Sequence, residues 1–219
     1  MRLIQQKISK VINVVLCDDH AVLRRGIRDT LMEAHDITVT GEAGSYPELR
    51  EVLRTSPCDV LLLDLNMPGR SGLEVLASLK ETNSEIKVLI VSMYPEDQYA
   101  LRCLKAGAQG YANKAGDPME LIAAVRTVVQ GRKYLTAEVA QMLAESVAQP
   151  TLETPHSALS ERELQTLIKI ASGRRLSDIA EELMLSPKTV SVYRARVLEK
   201  LQLTNNAELT VYAIRNQLV

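Results

Sequence analysis

Three carboxylates carry the first chemical signal in this chain. Asp64 closes the apolar run Asp59-Val-Leu-Leu-Leu-Asp64 and is followed by Leu65-Asn66-Met67-Pro68-Gly69. Asp18 and Asp19 follow a second apolar run, Val11-Ile-Asn-Val-Val-Leu-Cys17. An acid at the tip of a buried strand is expected to meet solvent while the strand holds it rigidly from below. If the two runs are parallel strands, all three acids gather at one end. Hard oxygen donors so placed suit a divalent cation such as Mg2+, and one carboxylate can serve as a nucleophile.

The elements that must position these acids follow from periodicity. Short β-rich runs are expected at Val11–Cys17, Ile37–Thr40, Val60–Leu63, Lys87–Val91 and Gly110–Ala112. Helix-period segments alternate with them at Ala21–Ala34, Pro47–Thr55, Gly72–Thr82, Glu96–Ala106 and Pro118–Gln130. Asp117-Pro118-Met119-Glu120 reads as a capping box with Pro at the first helical position, and Gly107 and Gly131 fall where helices take a left-handed stop. Strict alternation with central strands apolar on both faces predicts a doubly wound, five-stranded parallel sheet covered by helices on both sides. A possible helix at Thr136–Val147 and a Pro-containing stretch, Ala148–Ser157, read as a linker over 132–157. From Leu159 onward the period is helical throughout. Ser160-Glu-Arg-Glu163 is a capping box, and a tight turn at Met184-Leu185-Ser186 joins two short helices, the second of them basic. That is a small all-α helix-turn-helix domain over 158–219.

Composition narrows the classes of function. The chain has 219 residues, enough for two small domains, with no Phe or Trp, so its cores are aliphatic. Cys17, Cys58 and Cys103 are scattered, and His20, His35 and His156 are isolated, so neither a disulfide framework nor a transition-metal site is expected. No apolar run is long enough to cross a bilayer, and Met1–Lys10 lacks the apolar region of a signal peptide. A cytoplasmic protein without membrane contact is expected. The net charge of −1 hides a split, because residues 158–219 hold 9 Lys/Arg against 7 Asp/Glu.

Four elements appear in order, each at a strand end: Cys17-Asp18-Asp19-His20, Leu63-Asp64-Leu-Asn-Met-Pro-Gly69, Val91-Ser92, and Gly110-Tyr111-Ala-Asn leading to Lys114. With them, residues 11–131 resemble a two-component receiver domain. The resemblance implies Mg2+ held by Asp18, Asp19, Asp64 and the main-chain carbonyl of Asn66. It makes Asp64 the acceptor of a phosphoryl group from a sensor histidine kinase, assisted by Lys114 and Ser92. Ser92 and Tyr111 become a switch pair. Many receivers have Pro after the lysine, where this chain has Ala115. A cis bond there without Pro costs about 3–4 kcal/mol, so a trans bond or a remodelled loop is expected.

The C-terminal stretch carries Leu159-Ser-Glu-Arg-Glu-Leu164, Asp178-Ile-Ala-Glu-Glu-Leu183, Leu185-Ser-Pro-Lys-Thr-Val190 and Glu199-Lys-Leu201, and it resembles the NarL/LuxR/FixJ type of DNA-binding domain. A recognition helix turns its N-terminal part toward base edges. Ser191, Val192, Arg194 and Ala195 are therefore base-side candidates, while Lys188, Arg196 and Lys200 suit phosphates, with Thr189 beside them. Ser191 and Tyr193 stand where the family often has Lys and His. Arg175-Leu-Ser-Asp178 replaces a capping box, a loss of about 1 kcal/mol.

Together the two resemblances imply a transcriptional regulator, not an enzyme, that assists its own phosphorylation. A homodimer on DNA and contact with RNA polymerase are the further partners implied. Two other classes remain: a phosphate sink with a vestigial output domain, and an adapter whose C-terminal helices bind only protein.

Overall fold

A computed structural model describes residues 11–67, 70–82, 85–148 and 154–219. The expectations placed on Met1–Lys10, on Pro68-Gly69 and on linker residues 149–153 lie outside the described residues. The strands are β1 (Ile12–Cys17), β2 (Ile37–Ala43), β3 (Val60–Leu63), β4 (Lys87–Ser92) and β5 (Gly110–Asn113). Between and after them run α1 (Ala21–Met32), α2 (Tyr46–Thr55), α3 (Gly72–Glu81), α4 (Glu96–Ala106), α5 (Pro118–Val129) and α6 (Ala137–Ala148). A short 3-10 turn at Pro155–Ala158 leads into α7 (Glu161–Ala171), α8 (Leu176–Glu182), α9 (Pro187–Lys200) and α10 (Asn206–Arg215).

All strand pairs are parallel, in the order β2-β1-β3-β4-β5. The side-chain period of two splits each strand between two cores. Val14, Leu16, Val60, Leu62, Leu89 and Val91 pack under α1 and α5 with Leu31, Ile122, Val125 and Val128. Val15, Cys17, Leu61, Leu63, Val88 and Ile90 face the other way, with Leu49, Val75, Tyr99 and Cys103. Chain order reverses between β1 and β3, and in open α/β sheets the crevice beyond the strand ends at that switch point binds ligands. Cys17 pairs with Leu63 across it, so the next residues on each strand are Asp18 and Asp64.

Several boundaries differ from the expected ones. β2 runs to Ala43 instead of stopping at Thr40, because a register shift between Val14 and Val15 lets it keep pairing with β1. β1 starts one residue late, and α1 stops at Met32. The box expected before α5 reduces to one cap, in which Asp117 accepts from the Met119 N–H. The full boxes are Ser71–Glu74 on α3, which the sequence reading missed, and Ser160–Glu163 on α7. Gly107 and Gly131 are left-handed as expected, and Arg175 caps α8 without a side-chain bond.

Residues 132–148 do not behave as a linker. Tyr134 bridges to Gly110 at the sheet edge, Thr136 donates to Glu96 at 2.6 Å, and Val139 is buried with the core. The same apolar cluster continues from the receiver-like half into Leu159, Leu164, Leu167 and Ile170 of the C-terminal half. Among the described residues, no helix is long and apolar enough to cross a membrane.

Candidate functional site: an acidic cleft beyond the strand ends

The fold gathers the expected acids. One ligand-capable atom from each of Asp18, Asp19, His20 and Asp64 lies within 4.8 Å of the others. Backbone pairing sets this register, with the Asp64 N–H donating to the Cys17 carbonyl at 2.9 Å. Lys114 reaches the same point from β5, where its own N–H bonds the Ser92 carbonyl at 2.9 Å. Its ammonium bridges Asp18 at 2.7 Å and Asp64 at 2.9 Å.

Two features correct the expectation. Asp64 is not solvent-facing; it is 3% exposed, and burial pushes its carboxyl above the ordinary range while Lys114 opposes that shift. His20, read as isolated, joins the cluster with Nδ1 2.7 Å from Asp19. Periodicity marked it only as the residue before α1, and its nearness to Asp19 in sequence was the available signal.

The donor set fits a hard cation. Both Asp19 carboxylate oxygens are buried; Oδ1 meets the His20 ring nitrogen at 2.7 Å, and Oδ2 has no hydrogen-bond partner. Buried polar atoms are nearly always partnered, so an orphaned carboxylate oxygen beside two more acids matches the oxygen-rich shell that Mg2+ takes. The Asn66 N–H helps hold Asp64 in its ionised form, and the Asn66 carbonyl is the fourth expected ligand.

The β3–α3 turn passes close beneath the cleft. A Cβ on Gly72 would lie 2.4 Å from the Asp64 carbonyl oxygen and 2.8 Å from Leu65 Cα. Both contacts are backbone, so the helix start must move away from the acid. Gly72→Ala is expected to cost about 1–3 kcal/mol in urea unfolding, as overpacking typically does. An unchanged midpoint would show that the turn yields freely.

Ser92 and Tyr111 are both buried. The Ser92 hydroxyl accepts from the Tyr94 N–H at 3.2 Å, and the Tyr111 hydroxyl donates to the Tyr94 carbonyl at 2.7 Å. The Tyr94 ring stacks on Tyr99 with centroids 4.8 Å apart. One short loop thus joins both expected switch residues to α4. Ala115 follows Lys114 through a trans bond, since no described peptide bond is cis. Cys17 and Cys103 are buried and Cys58 half-buried; burial pushes the Cys17 and Cys58 thiols up to about 12.

The N-terminal turns of α7 lie against the segment between β3 and α3, which no sequence pattern announced. Arg162 is 4% exposed, and its guanidinium donates to Asn66 Oδ1 at 2.9 Å, the Met67 carbonyl at 2.5 Å and Gln165 Oε1 at 2.9 Å. Glu161 accepts from the Leu73 N–H at 3.4 Å and from Gln165 at 2.8 Å. Arg102 of α4 donates to the Ser157 carbonyl at 3.3 Å and also to that of Leu159, while Gln98 reaches the Leu218 carbonyl at 3.4 Å.

The α9 residues expected to touch DNA divide by environment. Lys188, Ser191, Val192, Ala195 and Arg196 are exposed on the outer face, which the receiver-like half leaves open. Thr189 is half-buried and shares the helix cap with Ser186 at 2.8 Å. Arg194 is half-buried and donates to Asn206 at 2.6 Å. Lys200, expected at phosphates, is instead paired with Glu163 at 2.6 Å and donates to the Ala158 carbonyl at 3.3 Å. That pair ties α9 to the α7 cap. Val190, Val197 and Leu198 form the buried face.

Comparison with known proteins agrees with both halves. The chain matches the family model of the response regulator receiver domain over residues 14–126. It matches that of bacterial regulatory proteins, luxR family, over residues 157–213. Response regulator UvrY of Escherichia coli is 39% identical over 209 residues, covering 95% of this chain and 96% of the relative. Response regulator GacA of Pseudomonas aeruginosa is 37% identical over 210 residues, covering 95% and 98%. RcsB from Salmonella enterica serovar Typhimurium, solved bound to promoter rprA with the phosphomimetic BeF3-, has a TM-score of 0.62 at 25% identity over 93% of this chain and 98% of that one. A structure of two RcsB dimers on two parallel DNAs has a TM-score of 0.59 at 26% identity, with the same coverage.

Proposed function

The chain belongs to the response regulators that join a receiver domain to a luxR-family DNA-binding domain, and on that premise we propose how its own residues carry the signal. It is a DNA-binding two-component response regulator. Asp64 accepts a phosphoryl group from a sensor histidine kinase. One carboxylate oxygen attacks phosphorus, the bond to the histidine nitrogen breaks, and its electron pair leaves with the imidazole. The convergence of Asp18, Asp19, Asp64 and Lys114 at one switch point carries this reading.

Lys114 stands within 2.9 Å of the acceptor, placed to bond an oxygen of the incoming group. Held by Asp18, Asp19, Asp64 and the Asn66 carbonyl, Mg2+ would supply neutralising charge for that group. The Ser92 hydroxyl turns from Tyr94 to donate to a phosphoryl oxygen. Because Tyr111 is bonded to the same Tyr94 unit, the change is passed to that loop and, through the Tyr94–Tyr99 ring stack, to α4.

The output is sequence-specific DNA binding by paired C-terminal domains. The open outer face of α9 supports this over a phosphate sink with a vestigial output domain. The RcsB dimers on DNA support a homodimer. Selection from random DNA, with and without acetyl phosphate and Mg2+, tests the function. Enrichment of paired half-sites, strengthened by the phosphodonor, is expected; no enrichment in either state would contradict it. In the same assay, Arg194→Ala should weaken selected sites. Arg196→Ala should weaken all sequences alike and lower the salt slope by about 1, as loss of one phosphate contact does.

A further inference from the structure

Glu161 is an acid in an unusual place. It opens α7, where an exposed carboxylate would favour the helix dipole, yet it is 4% exposed beneath the receiver's loops. None of the ion pairs among the described residues includes it. Its partners are neutral: the Gln165 amide, the Leu73 N–H and the Ser71 hydroxyl.

The two guanidinium groups nearby act on it electrostatically without forming an ion pair. From the receiver, Asp64, Tyr94, Tyr99, Arg102 and Cys103 lie within electrostatic reach of it, and Arg162 is its neighbour on α7. Arg162 is committed to Asn66, Met67 and Gln165. Arg102 is committed to the Ser157 and Leu159 carbonyls. A carboxylate buried without a paired cation takes up a proton more readily than it bears the cost of desolvation.

We propose that docking of the DNA-binding half onto the receiver is proton-linked through Glu161, so that acid holds the halves together and ionisation of this carboxyl parts them. The proposal goes beyond the phosphoryl-transfer reading and does not depend on it.

The sign follows from burial. In the docked chain, desolvation pushes the Glu161 carboxyl from 4.5 up to about 7, opposed by the Ser71 hydroxyl and Arg162. In the undocked chain the residue stands on an exposed helix start and titrates in the ordinary range. Its contribution to docking is therefore complete below pH 4.5 and is lost as pH rises through about 7. One-proton linkage between these values predicts that the docking constant falls about twentyfold from pH 5.5 to 7.5. Because docking also places Arg162 on Asn66 and Met67, the proton would reach the acceptor loop by the same route.

The Leu73 amide offers a direct readout, since its donation to Glu161 exists only when the halves are docked. Hydrogen exchange of this amide in the full chain, without phosphodonor or DNA, is corrected for intrinsic rate and compared with a β3 amide. Protection is expected to fall about twentyfold between pH 5.5 and 7.5 in the wild-type chain, and to stay level in Glu161→Gln. Level protection in the wild type, or the same fall in the variant, would overturn the proposal. Should the variant not fold, carboxyl NMR of the wild-type chain decides. A Glu161 midpoint near 7 supports the linkage, and one near 4.5 refutes it. Since no phosphate enters the experiment, its failure would leave the role of Asp64 untouched.

Discussion

Asp64→Asn is expected to end phosphoryl uptake from acetyl phosphate in the presence of Mg2+, while the chain stays folded. The amide keeps the size of the carboxyl but has no nucleophilic oxygen, so no covalent phosphoryl adduct can form. Stability should hold because burial already disfavours the charged form of Asp64, and its removal does not leave the Lys114 ammonium buried without a partner. Lys114 keeps Asp18 as a partner at 2.7 Å. Intact-protein mass spectrometry after incubation with the donor reads the result directly. A phosphoryl adduct in the variant would show that another side chain is the acceptor.

Arg162→Ala should separate the halves without unfolding either. Three hydrogen bonds end on this one guanidinium, and two of them cross to the acceptor loop. Hydrogen bonds from a charged donor contribute about 1.5–3 kcal/mol each. Loss of the crossing pair is therefore expected to weaken docking by at least roughly a hundredfold. Small-angle scattering should show an expanded chain, and the Leu73 amide should exchange correspondingly faster. Arg162→Lys should not restore docking, because one ammonium cannot span Asn66 Oδ1 and the Met67 carbonyl in a planar fork. Unchanged dimensions and exchange in both variants would mean that the apolar contacts around Leu159 and Leu164 hold the halves by themselves.

Much of the fold was legible because its determinants are local. Runs such as Val60–Leu63 are apolar on both faces, which only a strand covered on both sides can satisfy. Ser160-Glu-Arg-Glu163 carries both halves of a reciprocal cap within four residues. The acids at Asp18, Asp19 and Asp64 follow strand ends, so strand register alone brings them together. Where a boundary was missed, as at β2, a long-range register shift extended the pairing beyond what periodicity could indicate.

The α7 helix marks the limit. In sequence, Leu164, Leu167 and Ile170 recur at helical spacing, while Glu161, Arg162, Gln165 and Thr166 are polar. In the structure that polar side is buried too, since the receiver's loops cover it. Lys200 and His20 were misjudged for the same reason: a charge's partner is set by what packs opposite, not by its neighbours in the chain. The sequence by itself determined the two modules, the acid-tipped strands and the basic helix, because alternation, caps and strand ends are short-range properties. Only the tertiary structure decided that Arg162 holds the acceptor loop and that Glu161 is sealed without a counter-ion. Those facts depend on which surface of one domain meets the other, and no local period encodes that meeting.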